Sequence, residues 1–221
     1  MLIDVKFMMD NLGLIDKTVA FVKQTLKDAE GGHDWWHIHR VWNNARLIAQ
    51  TEQADALTVE LAALLHDIAD SKFHNGDEEI GPQTAGSFLS SINVDAETIR
   101  HVQQIIRHIS FKSGFDKKEF HSIELDIVQD ADRLDAIGAI GIARAFSYGG
   151  FKGRELYNPE VAPNLNMTKA EYKASTAPTI NHFYEKLLLL KDKMNTGTGK
   201  RLAQQRHDFM LTYLEQFYSE C

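Results

Sequence analysis

Apolar positions recur along this chain at helical spacing. The sharpest case is Leu61, Leu64, Leu65 and Ile68, at i, i+3, i+4 and i+7 on one helix face. That run predicts a buried helix, capped by Asp55 or Thr58 and carrying His66 and Asp67 within it. Upstream, Leu14, Ile15, Val19, Phe21, Val22 and Leu26 predict a helix over 12–28, stopped by Gly31-Gly32. A second is expected over 33–51, with Trp36, Val41, Ala45, Leu47 and Ile48 facing inward. Residues 72–81 are polar, with Asn75-Gly76 as a turn signal, and a short helix over 83–92 follows. Asp95 caps the next helix, on which Ile99, Val102, Ile105, Ile106 and Ile109 align. Beyond a charged loop over 111–120, the period resumes through 123–146, where Gly138 and Gly141 are spaced for close helix approach. Residues 148–166 hold three glycines and two prolines and read as a long irregular segment. Loops longer than ~12–15 residues in compact domains are usually functional or disordered. Helices over 180–194 and 199–217, the latter capped at Thr198, complete an all-α domain of about eight helices spanning 1–221. Its metal-site core is expected within 33–135, with helices 180–217 packed on it.

Composition narrows the function classes. Of 221 residues, 43% are apolar and 25% charged, ordinary for a soluble globular protein with a substantial core. A net charge of −7 argues against a broad basic face for duplex nucleic acid, while leaving room for a local phosphate-binding cluster. The one cysteine, Cys221, excludes an intramolecular disulfide and any cysteine-based zinc or iron–sulfur site. Asp4, Lys6 and Asp10 make the first residues unlike a signal peptide, and no run approaches the ~20 apolar residues of a membrane span. A cytoplasmic protein without a membrane partner is the expectation. Eight of the ten histidines lie between His33 and His121, which directs attention to the first part of the chain.

A carboxylate inside an apolar helix is costly unless a cation or hydrogen bonds compensate it. His66-Asp67 supplies one imidazole and one anionic oxygen there. His37 shares a helix face with His33 and Val41, and Asp132 sits between Ala131 and Leu134 near a core boundary. Two imidazoles and two carboxylates, His37, His66, Asp67 and Asp132, form a mixed set suited to a divalent ion (Mn, Mg, Ni, Co, Fe or Zn) without selecting among them. Each piece alone is ordinary. Single helical histidines are mostly solvated or hydrogen-bonded, and the acids of Asp130–Asp135 could be a solvated face or dipole partners. Order and context carry the reading.

The order His…His-Asp…Asp resembles that of the HD-domain metal-dependent phosphohydrolases. The neighbourhoods agree as well: His37-x-x-Arg40-Val41, Leu64-Leu65-His66-Asp67-Ile68, and Asp130-Ala131-Asp132-Arg133-Leu134-Asp135-Ala136-Ile137-Gly138. Ile180-Asn181-His182-Phe183-Tyr184-Glu185-Lys186-Leu187 resembles a bacterial branch of uncharacterised and nucleotide-hydrolysing members, so the likeness runs from about 32 to 220. It implies an all-helical fold and hydrolysis of a small phosphorylated molecule, most readily a nucleotide, by a pyrophosphohydrolase or phosphatase. A cyclic- or signalling-nucleotide phosphodiesterase and a non-catalytic metal or nucleotide sensor are the alternatives.

The same resemblance assigns catalytic work to Asp67 and to Asp70, one helical turn beyond it, as a proton-handling acid. Asp70 could equally be a helix-end acid bonding nearby backbone. His101 and His108 share a face with Ile105 and are candidates for substrate phosphate or a second metal, or else helix-end partners. Lys72, directly after the His-Asp helix, is the best-placed phosphate cation. Arg40, Lys112, Arg133, Arg144, Lys152 and Arg154 are further cations, and Asp135 could reach the pocket. Lys152 and Arg154 flank Gly153, in a segment able to close as a lid. His33 and Asp34 could orient His37. His39, His74 and His121 are expected at the surface and His207 in a structural place. Thr196-Gly197-Thr198-Gly199-Lys200 is no phosphate loop, because Arg201 follows the lysine. Trp35, Trp36 and Trp42 are expected chiefly in the core, with base stacking as the alternative, and Leu187–Leu190 could be core or a homodimer contact.

Overall fold

The structure, a computed structural model, describes residues 2–29, 34–69, 77–109 and 120–221, with side chains from residue 11 except those of Lys169 and Lys173. Every regular element among them is helical: α1 (Leu2–Thr25), α2 (Trp35–Ala49), α3 (Ala56–Leu65), α4 (Ile80–Ser91), α5 (Ala96–His108), α6 (Ile123–Asp135), α7 (Gly138–Phe151), α8 (Lys169–Ala174), α9 (Asn181–Glu185), a 3-10 helix (Leu187–Lys193) and α10 (Gly197–Ser219). The chain forms two compact units, residues 1–132 and 133–221. None of the described helices is long and apolar enough to cross a membrane.

The first unit is built around α3, which packs against α1, α2 and α5. Asp55 caps it, accepting from the Thr58 N–H at 2.7 Å, so Asp55 and not Thr58 starts the helix. Seven of its ten residues are buried, including Leu61, Leu64 and Leu65. Each such leucine contributes about 2 kcal/mol by leaving water. The helix ends at Leu65, one residue before the expected His-Asp pair, and His66 is its C-cap. The pair therefore occupies the turn that closes α3, and Ile68 stays buried beyond it.

On α2 the inner stripe is His37, Ile38, Val41, Ala45 and Ile48. Trp36 and Leu47, expected inside, are exposed, because each precedes a stripe position by one residue and so lies 100° round the helix. Asp95 caps α5 as predicted, accepting from the Glu97 and Thr98 N–H groups at 3.0 Å. Helix α5 lies close to α4 at Gly86, where a Cβ would fall 2.3 Å from Gln103 Nε2 and displace that side-chain end. That nitrogen donates to the Pro82 carbonyl.

In the second unit, α10 packs against α7 and the 3-10 helix, which also meets α9. The single helix expected over 123–146 is two. Ile137 is extended, and Gly138 has φ +76°, a conformation that costs a side-chain-bearing residue dearly. Leu134, Ile137 and Ile142 are buried on both sides of the break, so the apolar period masks it. Helix α7 then runs on to Phe151, absorbing the start of the expected irregular segment. The helix expected over 180–194 divides into α9 and the 3-10 helix. Thr196, not Thr198, caps α10, accepting from the Gly199 N–H at 2.9 Å. Helix α8 was not anticipated, although Thr168 and Glu171 spell its capping box.

Candidate metal centre

Three elements of the first unit deliver the ligand atoms. Asp34 caps α2 by accepting from the His37 backbone N–H at 2.9 Å. It thus fixes the first turn, from which the His37 imidazole points inward at 2% exposure. At the end of α3, the last carbonyls lack intrahelical donors. His66 Nδ1 lies 2.8 Å from the Ala63 carbonyl, an acceptor only, so the proton sits on Nδ1. Nε2 is thereby turned toward His37. The third element is α6, tied to α2 where Asn44 Nδ2 donates to the Ala131 carbonyl at 3.3 Å. The next residue is Asp132.

The two imidazole Nε2 atoms stand 3.3 Å apart. Asp132 Oδ1 is 3.6 Å from His37 Nε2 and 4.0 Å from His66 Nε2. Ligands about 2.1 Å from one ion are about 3.0 Å apart at right angles and about 3.4 Å apart at tetrahedral angles. The two nitrogens meet that requirement, and the oxygen of the Asp132 carboxylate, 42% exposed, stands slightly further off. Two buried imidazoles converge on one point beside an anionic oxygen, and a divalent cation fits that donor set. His37, His66 and Asp132 form a metal-binding triad. Asp67 Oδ2 is 3.9 Å from His37 Nε2.

Comparison with known proteins agrees with this geometry. The HD domain family model matches residues 35–137. The uncharacterized protein YpgQ of Bacillus subtilis is 40% identical over 216 residues, spanning 94% of each chain. The chain belongs to the HD-domain family. An HD-superfamily hydrolase from Bacillus thuringiensis superposes with TM-score 0.78 at 43% identity, covering 95% of this chain and 97% of that one. The structure of Bacillus subtilis YpgQ in complex with ADP superposes with TM-score 0.77 at 37% identity, covering 96% and 97%. With membership and the triad goes the general character of the superfamily, that of a metal-dependent hydrolase.

Other expected HD-site residues fall in different settings. Asp70 and Lys72 lie outside the described residues, as do His33, His74, Lys112 and the Asn75-Gly76 turn. Asp34 reaches the backbone of His37 and thereby sets the helix start. His101 Nε2 lies 3.0 Å from Ser122 Oγ and 3.5 Å from Glu124 Oε2. His108 Nδ1 donates to the Gln104 carbonyl at 2.9 Å, and both rings pack on Phe120.

In the second unit, Arg133 donates to the Lys193 carbonyl. Asp135 is buried and accepts from Arg144 at 2.5 Å. Lys152 Nζ lies over the Phe151 and Tyr148 rings, and Arg154 donates to the Ser175 carbonyl at 2.6 Å. Sequence reasoning missed the Ala63 carbonyl that orients His66, since a backbone acceptor leaves no residue-type signal. It also missed the pairing of Tyr172 with His182, ten residues apart on different helices, which no local spacing signals.

Proposed function

We propose that this protein hydrolyses a small phosphorylated substrate, a nucleotide, at a phosphoester or phosphoanhydride bond, releasing pyrophosphate or phosphate. The observation that carries the reading is the asymmetry of the triad: two buried imidazoles on the inner side and a half-exposed Asp132 carboxylate on the outer. Such a centre is closed behind and open in front, as a catalytic site requires. The complex of the relative YpgQ with ADP supports a nucleoside phosphate as the substrate.

A divalent ion held by His37, His66 and Asp132 would lower the pKa of water and polarise a phosphoryl oxygen. The remaining demands are positioning and charge neutralisation. His66, anchored through Nδ1 to Ala63, keeps its lone pair aimed without reorganisation, and His37 is held by the capped first turn of α2. The buried rings exclude water from the inner side. Asp67 is proposed as the fourth ligand and as an acceptor orienting the attacking water, a role its distance from His37 Nε2 supports. Asp70 is proposed to carry the proton to the leaving group, and Lys72, with His101 and His108, to neutralise phosphate charge.

The test is a panel of nucleotides and phosphoesters offered to the metal-loaded protein, with phosphate and pyrophosphate resolved by phosphorus NMR. Turnover lost on chelation and restored by one metal is the expected result. Absence of turnover with every metal and substrate would defeat the reading in favour of a sensor. Asp70→Asn should abolish turnover with metal content unchanged; retained activity would reject its role.

A further inference from the structure

The three tryptophans of the chain, Trp35, Trp36 and Trp42, all lie on α2, and none belongs to the metal-binding triad. His39 joins them. Its ring centre stands 5.6 Å from that of Trp35, 5.9 Å from Trp36 and 6.1 Å from Trp42. Residues 35, 39, 42 and 46 recur at i, i+4, i+7 and i+11, so they share the face of α2 opposite its buried stripe. That face is about 16 Å long. A cation stands at each end of it. Lys23 Nζ of α1 lies 4.6 Å over the Trp35 ring, and Arg46 Cζ lies 5.4 Å over the Trp42 ring. The acid in contact with the array is Glu60 of α3, which accepts from Trp42 Nε1 at 2.8 Å and lies 3.6 Å from Arg46 Nε. Its side chain is 24% exposed and that of Arg46 is 53% exposed, so the cation is presented to solvent more than the acid. Trp36, beside His39, is 62% exposed.

We propose that this aromatic face of α2, bracketed by Lys23 and Arg46, binds a short single strand of nucleic acid, its bases stacking on the indoles and its phosphates meeting the two cations. Stacking accepts any base, because every base has a flat π-face, and cations at both ends of the strip complement a charged backbone. A duplex hides its base faces, which excludes it as the occupant. A second copy of the chain would set the same cations against each other, and like charges across an interface oppose association. The face needs no metal, and the proposal stands apart from the hydrolytic reading above.

Because every tryptophan of the chain lies in this array, indole emission reports on it alone. Titration of the full-length protein in EDTA with a short oligothymidylate, followed by that emission and by anisotropy of the labelled strand, tests the proposal. Saturable quenching is expected, with log K falling by about 1.4 per tenfold rise in salt for two phosphate contacts. Trp36→Ala should raise Kd about tenfold or more, and Trp36→Phe should raise it less. Lys23→Gln and Arg46→Gln should each about halve the salt slope. All three positions are exposed, and circular dichroism confirms folding. Asp132→Asn should bind as the unaltered chain does, which separates this face from the metal centre. The proposal falls if the strand leaves emission and anisotropy unchanged, if Trp36→Ala and both charge variants bind as the unaltered chain does, or if ADP quenches the emission as strongly as the strand. Emission that shifts with protein concentration alone, without any strand, identifies a second copy as the occupant and also overturns it.

Discussion

Asp135 offers a test of whether an acid beside the metal-ligand motif serves substrate or structure. Its carboxylate is 1% exposed and accepts from Arg144 Nη1 at 2.5 Å. Arg144 also donates to the Asp135 carbonyl, at 3.3 Å. Arg144→Ala leaves that carboxylate buried without its nearest cation. Breaking a buried pair from one side costs about 3–5 kcal/mol. Arg206 is a second positive charge felt by Asp135, which places the expected loss at the lower end, about 3 kcal/mol. For a chain of this size that corresponds to a melting point about 6–12 °C lower. Urea unfolding, with the slope unchanged, measures the free energy, and calorimetry the midpoint. The double variant Arg144→Met with Asp135→Leu removes both charges and should recover most of the loss, since apolar replacements of buried pairs are often neutral or better. A loss below about 1 kcal/mol for Arg144→Ala, or no recovery in the double variant, would refute the argument.

Saturating divalent metal should stabilise the protein, by about 2.7 kcal/mol at one hundred times its Kd, and His66→Ala should remove that increment in differential scanning fluorimetry. His182 has a folded pKa near 4 against 6.5, so the unfolded chain binds more protons between those values. Stability should therefore fall as pH drops from about 6.5 to 4, by at most about 3 kcal/mol, and His182→Asn should flatten this part of the curve; an unchanged slope in denaturant titrations would contradict the assignment. Gly141→Ala would set a Cβ 2.3 Å from the Ala136 carbonyl oxygen. Because backbone cannot swing aside as a side chain can, that variant should lose about 3 kcal/mol in urea unfolding.

Much of the fold was legible because helical periodicity and caps are local. Asp55 and Asp95 start their helices by bonds to residues three positions away or fewer, and such spacing can be read directly. The end of α3 was not legible. Ile68 keeps the apolar period and is buried, so the pattern continues where the hydrogen-bonded helix stops. The same blindness joined α6 to α7 across Ile137, whose burial preserved the rhythm through an extended residue. At the metal centre, residue types and their order were sufficient to select His37, His66 and Asp132. What they could not reveal was the Ala63 carbonyl that sets the His66 tautomer, or how far Asp132 opens to solvent. Asp135 sits three residues from Asp132 and looks equivalent in sequence, yet it is engaged by Arg144, a partner nine residues away.

The near-complete burial of α3 bears on how the centre opens. A helix with seven of ten residues enclosed has little freedom to fray, and amides in such segments exchange with solvent mainly through whole-body unfolding. His66 is hydrogen-bonded to this helix rather than to a surface loop. Its orientation is therefore insulated from the small local openings that affect exposed segments. Deuterium uptake at Leu64 and Leu65 should be among the slowest in the first unit, and should remain slow after the metal is stripped. The inner wall of the centre would then persist as a rigid template between one bound ion and the next.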